Sequence, residues 1–262
     1  MDFKTKLDKA ISKSSSLLCV GLDPDPQKLK KSESQFQFNK IIIEATAAFV
    51  CAYKPNIGFY EAVGLTGLED LKNTIFFLKK NYPLIPVILD AKRADIGNTT
   101  LSLAEAIFDF YQADAVTANP YMGFDSLEPF LKRRDRGVIV LCHTSNPSSA
   151  DFQELSVNGQ PLYIKVAQKV VQWNKKYKNL LMVVGATNPT QIKRIRRVAG
   201  DMTFLVPGIG VQSGNLEKIC QNGLLKNGRG LVISASRSII YAQDPAMEAQ
   251  NLKNEINKYR QG

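Results

Sequence analysis

Histidine is almost missing from this chain: His143 is the only one in 262 residues. A zinc site built on imidazoles therefore lacks its ligands. Cysteine is scarce too, and Cys19, Cys51, Cys142 and Cys220 are too far apart in sequence for a CxxC pair. Three of them lie in apolar runs, which reads as reduced, buried thiols and implies a cytoplasmic setting. No apolar stretch reaches about 18 residues, so no membrane span is expected. The start, Met1-Asp2-Phe3-Lys4, lacks the apolar centre of a signal peptide. Asn98-Thr99-Thr100 matches a glycosylation sequon and is read as chance in a cytoplasmic chain. No Gly-, Ser- or Pro-rich linker interrupts the sequence, so residues 1–262 are expected to form a single domain.

Charge is present in excess of one sign. The formal net charge is +10, which favours anionic partners such as nucleic acid or phosphorylated metabolites. The basic residues are read as spread along the chain. Their densest groups are Lys28-Leu29-Lys30-Lys31 and Lys193-Arg194-Ile195-Arg196-Arg197. Both fall in surface-like segments and read as solvated faces rather than binding patches. Few aromatics are interleaved with them, so no nucleic-acid partner is expected.

Short apolar runs recur at even spacing: Ser16–Asp23, Ala48–Pro55, Pro86–Lys92, Ala115–Asn119, Gly137–His143, Leu180–Ala186, Thr203–Gly210 and Gly230–Ser236. They are apolar throughout rather than alternating, as strands are when both faces are covered. Helical spacing fills the gaps, as in Leu68, Leu71, Ile75 and Leu78, with Thr66 and Glu69 reading as a capping box before them. Pro189 suits a first helical turn. Phe3, Leu7 and Ile11 predict an N-terminal helix across the bottom of the fold. Eight strand–helix units in about 250 residues predict a closed α/β structure, the (β/α)8 TIM barrel, with an open doubly wound sheet as the alternative.

In such a barrel, chemistry gathers at the C-terminal ends of the strands. The third run ends in Asp90-Ala91-Lys92-Arg93-Ala94-Asp95. Asp90 and Lys92 are two apart and share a side of the strand, roughly 6–7 Å along it. Burying such charges without a task is costly. With Asp90 and Asp95 read as flanking it, Lys92 is kept as an ammonium, since each such pair is worth about 4 kcal/mol at 4 Å and an effective dielectric near 20. Lys92 thus reads as a proton donor and not a Schiff-base nucleophile. Carboxylates at this position also suit Mg²⁺, as in some barrel aldolases, but a lysine between them competes for the same charge. Asp23 and Lys54 end the first and second runs, and His143-Thr144-Ser145-Asn146 ends the fifth.

The seventh and eighth runs end in Pro207-Gly208-Ile209-Gly210-Val211-Gln212 and Ser236-Arg237. Glycine backbone and a guanidinium fork in those two loops read as a phosphate site. The near match to GxGxxG lacks its last glycine and does not follow a first strand, so a dinucleotide fold is rejected.

The run Asp90 to Thr99 closely resembles the signature of the orotidine 5'-phosphate decarboxylase family. The longer-chain branch of that family is similar also at Gly21-Leu22-Asp23-Pro24, Lys54-Pro55, Thr144-Ser145-Asn146-Pro147, Pro207 to Gln212 and Ser236-Arg237. The resemblance spans nearly the whole chain. It implies decarboxylation of orotidine 5'-monophosphate to uridine 5'-monophosphate and CO2, with no cofactor and no metal. It implies that Lys92 protonates C6, that Asp90 lies against the departing carboxylate, and that Lys54 and Asp23 hold the ribose and orient Asp90. Ser145 would read the pyrimidine edge, Pro207 would contact substrate, and Gln212 and Arg237 would hold the phosphate. Asp95 and Thr99 would enter the site of a second subunit, so a homodimer is expected. The family's longer-chain branch often carries another basic residue where this chain has His143, and Arg93-Ala94 replaces Arg-Gly. His143 is read as passive.

Overall fold

The computed structural model describes residues 1–30, 32–187, 189–209 and 216–260. Each apolar run yields a strand: β1 Leu18–Leu22, β2 Ala52–Pro55, β3 Ile88–Arg93, β4 Ala115–Ala118, β5 Gly137–His143, β6 Leu180–Val184, β7 Phe204–Pro207 and β8 Leu231–Ala235. Every residue of β1, β6 and β8 is buried, as expected where helices cover the outside and side chains fill the inside. All neighbours pair in parallel, in the order β3-β4-β5-β6-β7-β8-β1-β2. Parallel bridges Tyr53–Val87 and Asn56–Asp90 join β2 back to β3. The sheet is therefore closed, and the open doubly wound alternative is excluded.

The helix Phe3–Ser14 opens the chain, with the Asp2 carboxylate accepting from Thr5 N at its start. Phe3, Leu7 and Ile11 are buried along one face, as their spacing predicts. The Phe3 ring lies against Gly137 at the start of β5, where a side chain of any size would collide with it. The helix thus closes the end of the barrel opposite the strand C-termini. Pro189 begins the helix Pro189–Ala199 as expected. No helix among the described residues is long and apolar enough to cross a membrane.

Three local readings change. The helix Leu65–Asn81 starts one residue before Thr66, because Gly64 at φ +80° turns the chain into it. Thr66 is then inside the first turn, and no side chain caps this helix. A capping box does form elsewhere, between Ser34 and Gln37 on the helix Gln35–Thr46. The second run opens as a helical turn, Ala47–Phe49, before β2 begins. Between β5 and the helix Leu162–Tyr177, a small antiparallel hairpin pairs Ser156–Val157 with Gln160–Pro161 around Asn158-Gly159.

Of the second basic group, Lys193, Arg194 and Arg197 are exposed, but Arg196 turns inward. Its guanidinium donates to the carbonyls of Gly200, Met202, Gly223 and Gly230 and stacks 3.7 Å from the Phe204 ring centre. It ties the two bottom connections, before β7 and before β8, to β7. Arg196→Lys keeps the charge but cannot reproduce a planar fork. It should lower the unfolding free energy by about 1–3 kcal/mol in urea denaturation. An unchanged midpoint would show that these carbonyls are satisfied without it.

Candidate active site

The C-terminal ends of β1, β2 and β3 stand side by side and carry charges in alternating order. Lys54 reaches inward from β2 and donates to Asp90 Oδ2 at 2.9 Å. Lys92 donates from β3 to Asp90 Oδ1 at 2.7 Å. Asp23, one strand further, accepts from Asn56 N at 3.1 Å. Asp90 and Lys54 are buried, whereas the Lys92 side chain is 49% exposed. The lysine that reads as a proton donor is thus the one that solvent or substrate can reach.

The electrostatics follow from this order. Burial pushes the Asp90 carboxyl up, but Lys54 and then Lys92 outweigh it and hold it well below the usual carboxylate range. Burial likewise works against charge on Lys54, and Asp23 and Asp90 more than reverse it, so Lys54 stays an ammonium well above the usual range. On β1, burial raises the Cys19 thiol to about 12, which rules out a thiolate there near neutral pH.

The sequence did not point to Thr117 on β4. Its hydroxyl donates to Asp90 Oδ1 at 2.8 Å and accepts the Lys92 backbone N–H at 2.9 Å. Lys92 itself has φ +47°, a left-handed backbone that is uncommon outside glycine. The β3–β4 register shifts between Leu89 and Arg93, so the strand bulges under the lysine. The one available signal was a polar residue inside the apolar run Ala115-Val116-Thr117-Ala118.

Two adjoining recesses open over these residues and share Lys54 and Pro207. One, of about 330 Å³, is lined by Asp90, Lys92, Thr117 and Ser145. The other, of about 440 Å³, is lined by Asp23, Gly208, Ser236 and Arg237. Their combined size lies in the ordinary range for a small-molecule site. A cavity of about 90 Å³ at the opposite end, under Phe3 and Leu7, is much smaller.

Ser145 is aimed by its loop. Gln153 Oε1 accepts from Thr144 N, Gln153 Nε2 donates to Thr144 Oγ1, and Thr144 Oγ1 bonds Asn146 Oδ1. Gly185 lies beneath, and a Cβ there would stand 2.7 Å from Ser145 N. Only glycine lets the two backbones approach so closely. Arg237 begins the short helix Arg237–Ile240 and is exposed beside the second recess.

Other expected residues lie elsewhere. Asp95 does not flank Lys92 within the chain. The chain leaves β3 at Arg93, and Asp95 accepts from Ile96 N in its own loop, with no ion pair to Lys92. Thr99 is exposed on the helix Gly97–Glu105. Neither residue lines the recesses. His143 is buried, with Nε2 3.0 Å from Glu154 Oε1 and its ring edge-on to Tyr163; it does not line them either. Gln212, Gly210 and Gly214 lie outside the described residues.

Removing Lys54 leaves Asp90 buried with one ammonium fewer. Lys54→Met should therefore cost stability near the low end of about 3–5 kcal/mol, because Lys92 and Thr117 still hold the carboxylate. Denaturation at neutral pH measures this. A loss under about 1 kcal/mol would mean that water solvates Asp90 in the folded state.

Comparison with known proteins places this arrangement. Residues 16–252 match the family model described as orotidine 5'-phosphate decarboxylase / HUMPS family. The orotidine 5'-phosphate decarboxylase of Cellvibrio japonicus (strain Ueda107) is 48% identical, over 99% of this chain and 100% of its own. The solved OMP decarboxylase of Leishmania donovani superposes with a TM-score of 0.92 at 40% identity, covering 100% of both chains. A Toxoplasma gondii structure described as a putative orotidine-monophosphate-decarboxylase gives 0.94 at 36% identity, over 98% of this chain and 96% of its own.

Proposed function

The chain belongs to the orotidine 5'-phosphate decarboxylase / HUMPS family, and on that premise we propose how its own residues decarboxylate orotidine 5'-monophosphate to uridine 5'-monophosphate. The observation that carries the reading is the Asp90 carboxylate fixed between a buried Lys54 and a half-exposed Lys92.

The substrate is anionic at both ends, and the two recesses divide the work. The pyrimidine lies over Asp90, Lys92 and Thr117, with Ser145 at its edge and Pro207 forming the wall between the recesses. The ribose lies against Asp23 and Lys54. The phosphate reaches Arg237, and Gln212, outside the described residues, is assigned to it by the family resemblance alone. Arg237 offers a permanent charge and a fork suited to phosphate oxygens. Binding energy from the phosphate offsets the placing of the substrate carboxylate near Asp90.

The C6–carboxylate bond then breaks, CO2 leaves, and the electron pair stays on C6. The Lys92 ammonium, aimed by Asp90, stabilises that pair and delivers a proton to C6. Lys92 is left neutral and, being half exposed, regains its proton from water. Like-charge repulsion between Asp90 and the carboxylate is relieved as CO2 departs.

A metal-dependent aldolase on the same frame is disfavoured by the donor set. Both Asp90 oxygens already accept from ammonium or hydroxyl groups. A divalent cation there would face two ammonium ions. This chemistry supports the expectation that no metal acts at Asp90.

A homodimer completes the site. The connections after β2, β3 and β4, neighbours in the barrel, expose Val63, Leu65, Ile96, Leu101, Tyr121 and Met122. An uncovered apolar surface of this kind suits a second copy. Asp95 and Thr99 belong to the same connection as Ile96 and Leu101, which supports their entering the site of a second copy. The four buried, free thiols support a cytoplasmic setting.

Purified protein should form uridine 5'-monophosphate in chelator-treated buffer. Lys92→Ala should lower kcat by about 10³-fold or more with the fold intact. Substantial turnover by that variant, or activity lost to EDTA and restored by Mg²⁺, would defeat the mechanism. Equimolar mixing of Lys92→Ala and Asp95→Ala chains should restore activity at about a quarter of the sites, because half the dimers are mixed and each carries one intact site. No recovery on mixing would count against shared sites.

A further inference from the structure

We propose that Thr117 is a positioning residue for the decarboxylation, its single hydroxyl setting the Asp90 carboxylate and the Lys92 backbone relative to one another. The inference rests on the function proposed above and adds a residue to it.

The case begins with the backbone. Lys92 is a non-glycine residue at φ +47° inside a strand. Such a conformation persists only where the surroundings over-determine it. The bulge between Leu89 and Arg93 takes Lys92 out of the β3–β4 ladder, so its N–H needs a partner from another source. Thr117 Oγ1 supplies it at 2.9 Å.

The same oxygen has one hydrogen, and it goes to Asp90 Oδ1 at 2.8 Å. That carboxylate oxygen also receives Lys92 Nζ at 2.7 Å. A closed ring results: Lys92 backbone to Thr117, Thr117 to Asp90, Asp90 to the Lys92 ammonium. Every link has its donor and acceptor fixed, because an N–H can only donate and a carboxylate can only accept. Thr117 is 1% exposed and lines the same recess as Asp90 and Lys92. Its β-branched side chain has little freedom at χ1. The ammonium is therefore aimed from both its backbone and its tip.

Charge on the pair does not depend on Thr117, because Lys54 and Lys92 supply it. What Thr117 adds is direction. Misplacing a reacting group by about 1 Å is enough to cost 10²-fold in rate. Substrate binding through the phosphate and ribose is untouched.

Thr117→Val replaces the hydroxyl by a methyl of nearly the same shape. It should lower kcat by about 10–100-fold while KM stays within about 3-fold. Thr117→Ser keeps the hydroxyl and should stay within about 3-fold of the parent in both. Amide hydrogen exchange at Lys92 should be slow in the parent and the Ser variant and fast in the Val variant. If Thr117→Val does not fold, Thr117→Ala, which cannot overpack, replaces it with the same expectation. Unaltered kcat in the Val variant overturns the proposal. So does equal damage by Val and Ser, a rise in KM that accounts for the loss, or unchanged exchange at Lys92. If the parent forms no uridine 5'-monophosphate, the decarboxylase reading falls, while the exchange experiment still reads the tether by itself.

Discussion

Asp90 sits at the mouth of the barrel with 8% of its surface exposed and accepts three hydrogen bonds, one each from Lys54, Lys92 and Thr117. A carboxylate so placed would neutralise itself by taking a proton if left alone. Two ammonium groups prevent this, one buried and one half exposed. The buried one, Lys54, depends in turn on Asp23 and Asp90 for its own charge. In the row Asp23, Lys54, Asp90, Lys92, the two buried inner members are thus kept ionised by the opposite charges beside them. Its reactive end is Lys92, whose side chain is half exposed in the recess.

The barrel exists, for this purpose, to hold that row in register. Parallel strands bring the ends of β1, β2 and β3 level, and the bridge Asn56–Asp90 sets β2 against β3 where the charges meet. The N-terminal helix and Arg196 close and tie the far end, away from the chemistry. Of the loops after β5, β7 and β8, the last adds the Arg237 charge beside the second recess. They shape the recesses around a substrate that brings its own charges, as Gln153 and Gly185 do for Ser145.

Much of this was legible in the sequence, and for a physical reason. Strands covered on both faces leave unbroken apolar runs, and a polar residue at the end of such a run is conspicuous. Asp23, Lys54, Asp90, Lys92, Ser145 and Arg237 all stood out in that way, and they line the recesses together with Pro207, which the family resemblance supplied. Period-two reasoning placed Asp90 and Lys92 on one side, and they do meet. It could not foresee the bulge or the left-handed Lys92, because those depend on a hydroxyl from β4. Asp95 does not flank Lys92 within the chain for a related reason: spacing along a strand says nothing once the chain has left it, and the Asp95 carboxylate accepts from Ile96 N in the following loop. The hairpin around Asn158-Gly159 carried a strong turn signal, both residues having positive φ, but its strands are too short to show a period. Thr66 and Glu69 had the spacing of a capping box, yet Gly64 decided where the helix begins.

The carboxyl ¹³C resonance of Asp90, assigned by its loss in Asp90→Asn and followed from pH 7 to about 3.5, tests the central arrangement most directly. An unperturbed aspartate, near 3.9, would be mostly protonated at the end of that range. With a folded-state value well below the unfolded one, Asp90 stabilises the fold above the unfolded value and loses that contribution only as pH falls toward the folded one. The account predicts a carboxylate signal that does not move across the whole range. A resonance that titrates with a midpoint near 4 would contradict it.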